Sequence, residues 1–141
     1  MILKIGWKTK NKNMPKNEFI TKYNFCKDTS KAGRILEFVK VGKVYISRVE
    51  MEEGVITGNY YHKETNSMYM VEAGKVKFKF VQVNTKETKE MELKVGSSVV
   101  SLPPFIAIAS KNCGKELARV IVFSDRPLRS GDDYPFEILK K

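Results

Sequence analysis

The stretch GVITGNYYHKETNSMYMVEAG, residues 54–74, carries the single histidine of the chain inside a strand–turn–strand pattern. Residues two apart on a strand point to the same side, so Tyr60 and His62 share one face and Tyr61 takes the other. The polar run Lys63–Asn66 predicts a turn. The returning strand then brings Ser67, Tyr69 and Val71 back to the face held by Tyr60 and His62. One imidazole and three hydroxyls are thereby expected on the inner side of a hairpin. Met68 and Met70 fall on the outer side, where they pack against a second subunit or another layer.

Working outward, the flanking segments repeat the same period. Lys75–Asn84 (KVKFKFVQVN) sets Val76, Phe78 and Phe80 against Lys75, Lys77 and Lys79, the mark of a half-buried strand. Asn84–Glu87 supplies a polar turn, and Glu90–Val95 alternates again. Upstream, Lys43–Glu50 (KVYISRVE) is rich in β-branched and aromatic residues. Downstream, Gly96 and Pro103–Pro104 bracket a short strand at Val99–Leu102, with further strands at Ile106–Ser110 and Leu117–Ser124. Short strands at this spacing predict an all-β sandwich or barrel. Helix signals are thin: Asp28–Arg34 allows one turn at most, and Phe19–Phe25 alternates in favour of a strand. The expected organisation is a basic arm or edge strands over 1–34, a barrel over 35–126, and a wrapping tail over 127–141.

At 141 residues, with 42% hydrophobic residues, the chain is long enough for one core. No apolar run approaches the roughly 20 residues of a membrane-spanning helix, so no membrane span is expected. The lysine-rich start, MILKIGWKTKNKN, lacks the apolar centre of a secretory signal, and a cytoplasmic location is the expectation. Cys26 and Cys113 form no CxxC pair and read as reduced thiols. Much of the net charge of +10 comes from Lys4, Lys8, Lys10, Lys12, Lys16 and Lys22. Such a field attracts polyanions, including the diphosphate of a nucleotide sugar. Nucleic acid is not the expected partner, since Lys far outnumbers Arg and no aromatic–Gly RNA-binding signature occurs.

With these residues in view, the chain resembles the cupin superfamily, whose β-barrel (a double-stranded β-helix, or jelly roll) is marked by two motifs. The first combines Gly, His-x-His, Glu and Gly; Gly54, Gly58, His62 and Gly74 match it, while Tyr60 stands at the first His and Ser67 at the Glu. The second combines Gly, Pro-x-Gly, His and Asn; Gly96, Pro103 and Asn112 match, while Phe105 replaces its Gly and Ile108 its His. Metal-binding cupins gather His, His, Glu and His into one cluster, because a metal needs donors converging at about 2.0–2.2 Å. Three of those four positions are changed here, so neither metal nor other cofactor is expected.

Among cupins, VYISRVEMEEGVITGNYYHKE is similar to the segment of metal-independent dTDP-4-keto-sugar isomerases and 3,5-epimerases that precedes their barrel. Asp132, Asp133 and Tyr134 resemble the Asp-x-Tyr region of their tails. Those enzymes move a proton at a carbon beside a ketone, with a base of near-neutral pKa and a donor for the developing enolate. The resemblance implies His62 as base, Tyr60 as acid or enolate donor, and Arg48, Lys63, Ser67 and Tyr69 as ligand-binding residues in surface-polysaccharide synthesis. Two departures stand against it: the usual first-His base is Tyr60, and the preceding Arg is Thr57. The alternative is a catalytically silent cupin that binds a small molecule or serves as a scaffold, with His62 filling the barrel mouth against Tyr60 or Ser67. A homodimer is the expected assembly in either case.

Overall fold

The computed structural model describes residues 19–127 and 131–140, and every regular element among them is a strand. In chain order these are β1 (Cys26–Asp28), β2 (Arg34–Val41), β3 (Val44–Met51), β4 (Ile56–Tyr61), β5 (Ser67–Ala73) and β6 (Val76–Gln82). They are followed by β7 (Thr88–Leu93), β8 (Val100–Leu102), β9 (Ile106–Asn112), β10 (Ala118–Ser124) and β11 (Tyr134–Pro135). One sheet runs β1-β2-β3-β10-β5-β8 and the other β11-β4-β9-β6-β7, with every pairing antiparallel. From β3 onward the chain changes sheet at every step except β6 to β7, giving the jelly-roll topology of a cupin barrel. Among the described residues no helix is long and apolar enough to cross a membrane.

The core lies where alternating residues of both sheets meet. From the first sheet come Met51, Tyr69, Val71, Val120 and Val122; from the second come Val76, Phe78, Phe80 and Ile108. Phe78 stacks on Phe80 at 6.0 Å and meets the Tyr69 ring edge-on at 6.2 Å. The register places Tyr60 opposite Ile108 and Ile108 opposite Phe80, so one inward row crosses β4, β9 and β6.

Two backbone irregularities shape the β4 edge. Gly58 has φ of +97°, and a Cβ there would come within 2.6 Å of the Ile108 carbonyl oxygen. Asn59, at φ of +66°, sits in the bulge between the Gly58 and Tyr60 pairings. Its side chain faces the tail: Oδ1 accepts from the Ile138 and Leu139 amides, and Nδ2 donates to the Leu139 carbonyl at 2.8 Å. A bulge of this kind re-aims a side chain without ending the strand.

The N-terminal expectations fare unevenly. Residues 1–18, which hold most of the lysine cluster, lie outside the described residues. Residues 19–25 are not paired in a strand; pairing begins at Cys26, against Phe38. Phe19 there is 96% exposed. The 31–33 segment closes as a turn, with the Arg34 amide donating to the Lys31 carbonyl at 3.2 Å, and no helix forms.

Candidate functional site

At the end of β4 the chain turns through residues 62–66 and returns as β5. Asp132 holds this turn. Its carboxylate accepts from the backbone amides of Lys63 (3.0 Å), Glu64 (2.9 Å) and Thr65 (2.8 Å) and from the Thr65 hydroxyl (2.7 Å). Burial alone would raise the Asp132 pKa; the Thr65 hydroxyl and the three amides outweigh it and hold the carboxyl below 3.8.

The same tail segment fixes the imidazole. His62 is only 3% exposed, and its Nδ1 lies 2.7 Å from the Asp132 carbonyl oxygen and 3.1 Å from an Asp133 carboxylate oxygen. Both partners are acceptors, so Nδ1 carries the proton and Nε2 is the nitrogen with a lone pair in the neutral ring. Burial by itself lowers the His62 pKa. The Asp133 hydrogen bond, the Asp132 carbonyl and the two carboxylate charges reverse that and raise it above 6.5.

The sequence-derived inner face is largely assembled. Tyr60 packs its ring against His62 at 5.1 Å between centroids, and Ser67 and Tyr69 are buried on the inward side of β5. Among the described residues His62 Nε2, Ser67 Oγ and Tyr69 Oη are buried with no hydrogen-bond partner. The Tyr60 and Ser67 hydroxyls lie close enough to temper the Tyr69 pKa, but outside bonding geometry. Burial dominates and keeps that phenol above its usual 10.0. Unpaired buried polar atoms are costly, about 1–3 kcal/mol each, and such a group in a native fold calls for a water or a ligand group.

Two expected ligand residues are not part of this cluster. Ser47 is the inward residue of its pair on β3, which turns Arg48 to the outer face of the sheet. There Arg48 bonds Glu37 at 3.0 Å and covers the Phe25 ring at 4.6 Å. Lys63 lies at the rim, its ammonium 4.2 Å above the Tyr134 ring. The imidazole bonds neither Tyr60 nor Ser67; its partners come from the tail. The signal for Asp132 and Asp133 was the tail's resemblance to the Asp-x-Tyr region, which named the residues without giving them a role.

The donor set does not suit a metal. Ile108, opposite Tyr60, offers no donor, and no group of three or more His, Cys, Asp or Glu among the described residues could hold an ion. A cleft of about 310 Å³ opens between the edge strands β7 and β8, with Phe80, Val100, Leu102 and Ile106 on its apolar side. Neither His62 nor Tyr60 lines it. Its inner wall is contiguous with the cluster, since Leu102 pairs with Ser67 and Val100 with Tyr69.

A two-sheet jelly roll with this hairpin has the cupin fold, and solved structures share it. The capsular polysaccharide assembling protein CapF from Staphylococcus aureus superposes with a TM-score of 0.73 at 20% identity, over 83% of this chain and 34% of CapF. Oxalate oxidase in complex with glycolate gives 0.61 at 17% identity, over 70% and 54% of the two chains. The Drosophila melanogaster CENP-C cupin domain gives 0.60 at 13% identity, over 72% and 74%. The chain thus spans about a third of CapF. No curated protein sequence matches it. Residues 28–133 match the polysaccharide biosynthesis C-terminal domain, and the chain belongs to that family.

Proposed function

We propose that this cupin serves polysaccharide synthesis by acting on a nucleotide-activated keto-sugar, transferring a proton at the carbon beside the ketone. The observation that supports this most is the orientation of His62. Nδ1–H is committed to Asp132 and Asp133, which leaves Nε2 buried and unpartnered in a ring that packs 5.1 Å from that of Tyr60. An imidazole oriented through one nitrogen by a carboxylate is set up to accept a proton at the other. As Nε2 takes the proton from the carbon, charge builds on the ketone oxygen, and a phenol hydroxyl from Tyr60 stabilises it by donating a hydrogen bond. Delivering a proton to that carbon from the opposite face of the enolate gives the epimer, and delivering it to the former carbonyl carbon of the enediol gives the isomer. Family membership supplies the polysaccharide context, and CapF, a capsular polysaccharide assembling protein, is similar in fold.

The test is solvent deuterium uptake at the carbon beside the ketone of nucleotide-linked keto-sugars, followed by proton NMR. Wild-type protein should exchange it and His62→Asn should not. Equal exchange by both proteins removes His62 as the base.

A second reading is favoured by the burial of His62 and the absence of that ring from the 310 Å³ cleft. Here the chain is a silent cupin that binds a small molecule, and His62 fastens the tail to the barrel. Nucleotide-sugar binding without exchange in wild-type protein would support this reading against the first.

A further inference from the structure

The outward side of β4 carries an aromatic patch that the barrel interior does not use. Alternation turns Tyr61 away from the face that holds Tyr60 and His62. Its ring meets three others: Phe105 at 6.1 Å, Tyr134 stacked at 5.5 Å, and Phe136 edge-on at 6.2 Å. None of the four residues is buried.

Phe105 is the informative member. Among the described residues the non-glycines with φ in the left-handed region are Asn59, Lys86 and Phe105. Asn adopts that region readily, and Lys86 lies in the β6–β7 hairpin turn, where a left-handed residue is common. Phe105, at +67°, has neither reason, and it stands where the second cupin motif keeps Gly. Its amide donates to the His62 carbonyl at 2.7 Å and its carbonyl accepts from the Val83 amide at 3.0 Å, which pins the backbone in this strained form. The side chain is 37% exposed and takes no part in the core. Glycine would hold the same backbone without strain, so the strain is tolerated for an aromatic ring at the surface.

The rim decides the occupant. The Lys63 ammonium lies 4.2 Å from the centre of the Tyr134 ring. That of Lys86 lies 5.2 Å from the centre of Phe136 and donates to the Val83 carbonyl. Exposed Glu64, Glu87 and Glu137 follow Lys63, Lys86 and Phe136 directly in the chain. Two ammoniums among three carboxylates give no positive surplus for a nucleic acid or an anionic membrane. An apolar protein surface would strip these charges of water without partnering them. An uncharged sugar chain suits both features. The C–H faces of its pyranose rings lie on aromatic rings, while its hydroxyls accept from ammonium groups and donate to carboxylates that stay hydrated. The family to which residues 28–133 belong is one of polysaccharide biosynthesis.

We propose that this patch is a platform for an uncharged saccharide chain, with Phe105 its stacking residue. It lies on the outside of the barrel wall and does not depend on the reading of His62.

Biolayer interferometry of the full chain over immobilised dextran, mannan and galactan tests it, with melting temperatures measured alongside. At least one of the three should bind wild-type protein, with a dissociation constant that added salt barely changes. Phe105→Gly should weaken that binding by about tenfold. It should also melt at or above the wild-type temperature, because glycine relieves the left-handed strain. Met68→Lys, exposed on the other sheet, should leave binding unchanged. No binding to any of the three, an affinity that collapses with salt, or a Phe105→Gly protein that binds as well as wild type would each overturn the proposal. So would a Phe105→Gly protein that melts well below wild type, since the ring would then be structural.

Discussion

The Nδ1 atom of His62 lies 2.7 Å from the carbonyl oxygen of Asp132, 70 residues further along the chain. One nitrogen thus joins the β4–β5 hairpin to the tail while the other is buried without a hydrogen-bond partner. Its surroundings fix the tautomer and raise the pKa together, and both consequences are measurable because the chain has a single histidine.

Nitrogen-15 correlation spectra of that ring should show Nδ1 protonated in the neutral form and a titration midpoint above 6.5. A raised folded pKa means that protonated His62 stabilises the fold. The contribution is complete below the unfolded value near 6.5 and is lost as pH rises through the folded midpoint. Asp133→Asn removes the facing charge, so the midpoint should fall and the loss of stability on the alkaline side should shrink. An Nε2–H tautomer in wild-type protein would contradict the described geometry.

Asp132 gives the opposite slope. Its folded pKa is depressed below 3.8, so its contribution is present above that value and disappears as pH falls through the folded pKa. Asp132→Ala leaves three turn amides and the Thr65 hydroxyl without their acceptor. Urea unfolding near pH 7 should show a loss of roughly 2–4 kcal/mol. The gap from wild type should close in acid. A gap that stays constant down to the lowest pH would mean that the carboxylate's charge plays no part.

The strands that could be read from the sequence are those whose two faces differ in chemistry. Val76, Phe78 and Phe80 alternate with lysines, and the core takes those three. β2 (RILEFVKV) went unrecognised because both of its faces carry apolar residues and Arg34, paired with Asp28 at 3.3 Å, sits on the buried one. The same ambiguity misplaced Arg48: Val44 and Ile46 on its face are as apolar as Tyr45 and Val49 on the other, so alternation gave no inward side. Ser67 and Tyr69 were legible because the hairpin carries its own register. The Asp132 and Asp133 contacts were not, since no local period reports a partner 70 residues away.

Gly58 is held by sterics from two sides. At φ of +97° a side chain is strained, and a Cβ would sit 2.6 Å from the Ile108 carbonyl oxygen and 3.0 Å from the Ala109 Cα, both backbone atoms. Neither can swing away as the end of a side chain could. Gly58→Ala should therefore cost roughly 2–4 kcal/mol in denaturant unfolding. It should also disturb the amide resonances of Tyr60 and Ile108 ahead of those in β2. Unchanged stability would require β4 to shift away from β9, which the same spectra would reveal.

Tyr60 and Ile108 face each other across β4 and β9 at two of the positions where metal-binding cupins keep histidines, and Ser67 stands at the place of their Glu. If the barrel keeps the cupin geometry and only the donors have changed, Tyr60→His, Ser67→Glu and Ile108→His together should create a divalent-metal site beside His62. Without metal the triple variant should be less stable than wild type, because a buried carboxylate and two imidazoles lack partners. Zinc or manganese should then raise its melting temperature, since binding free energy adds to folding free energy when only the folded state offers converging donors. Wild-type protein should show no such gain, as Ile108 supplies no donor. A folded triple variant that ignores both metals would mean that the three positions no longer converge and that the barrel has drifted from the geometry its motifs imply.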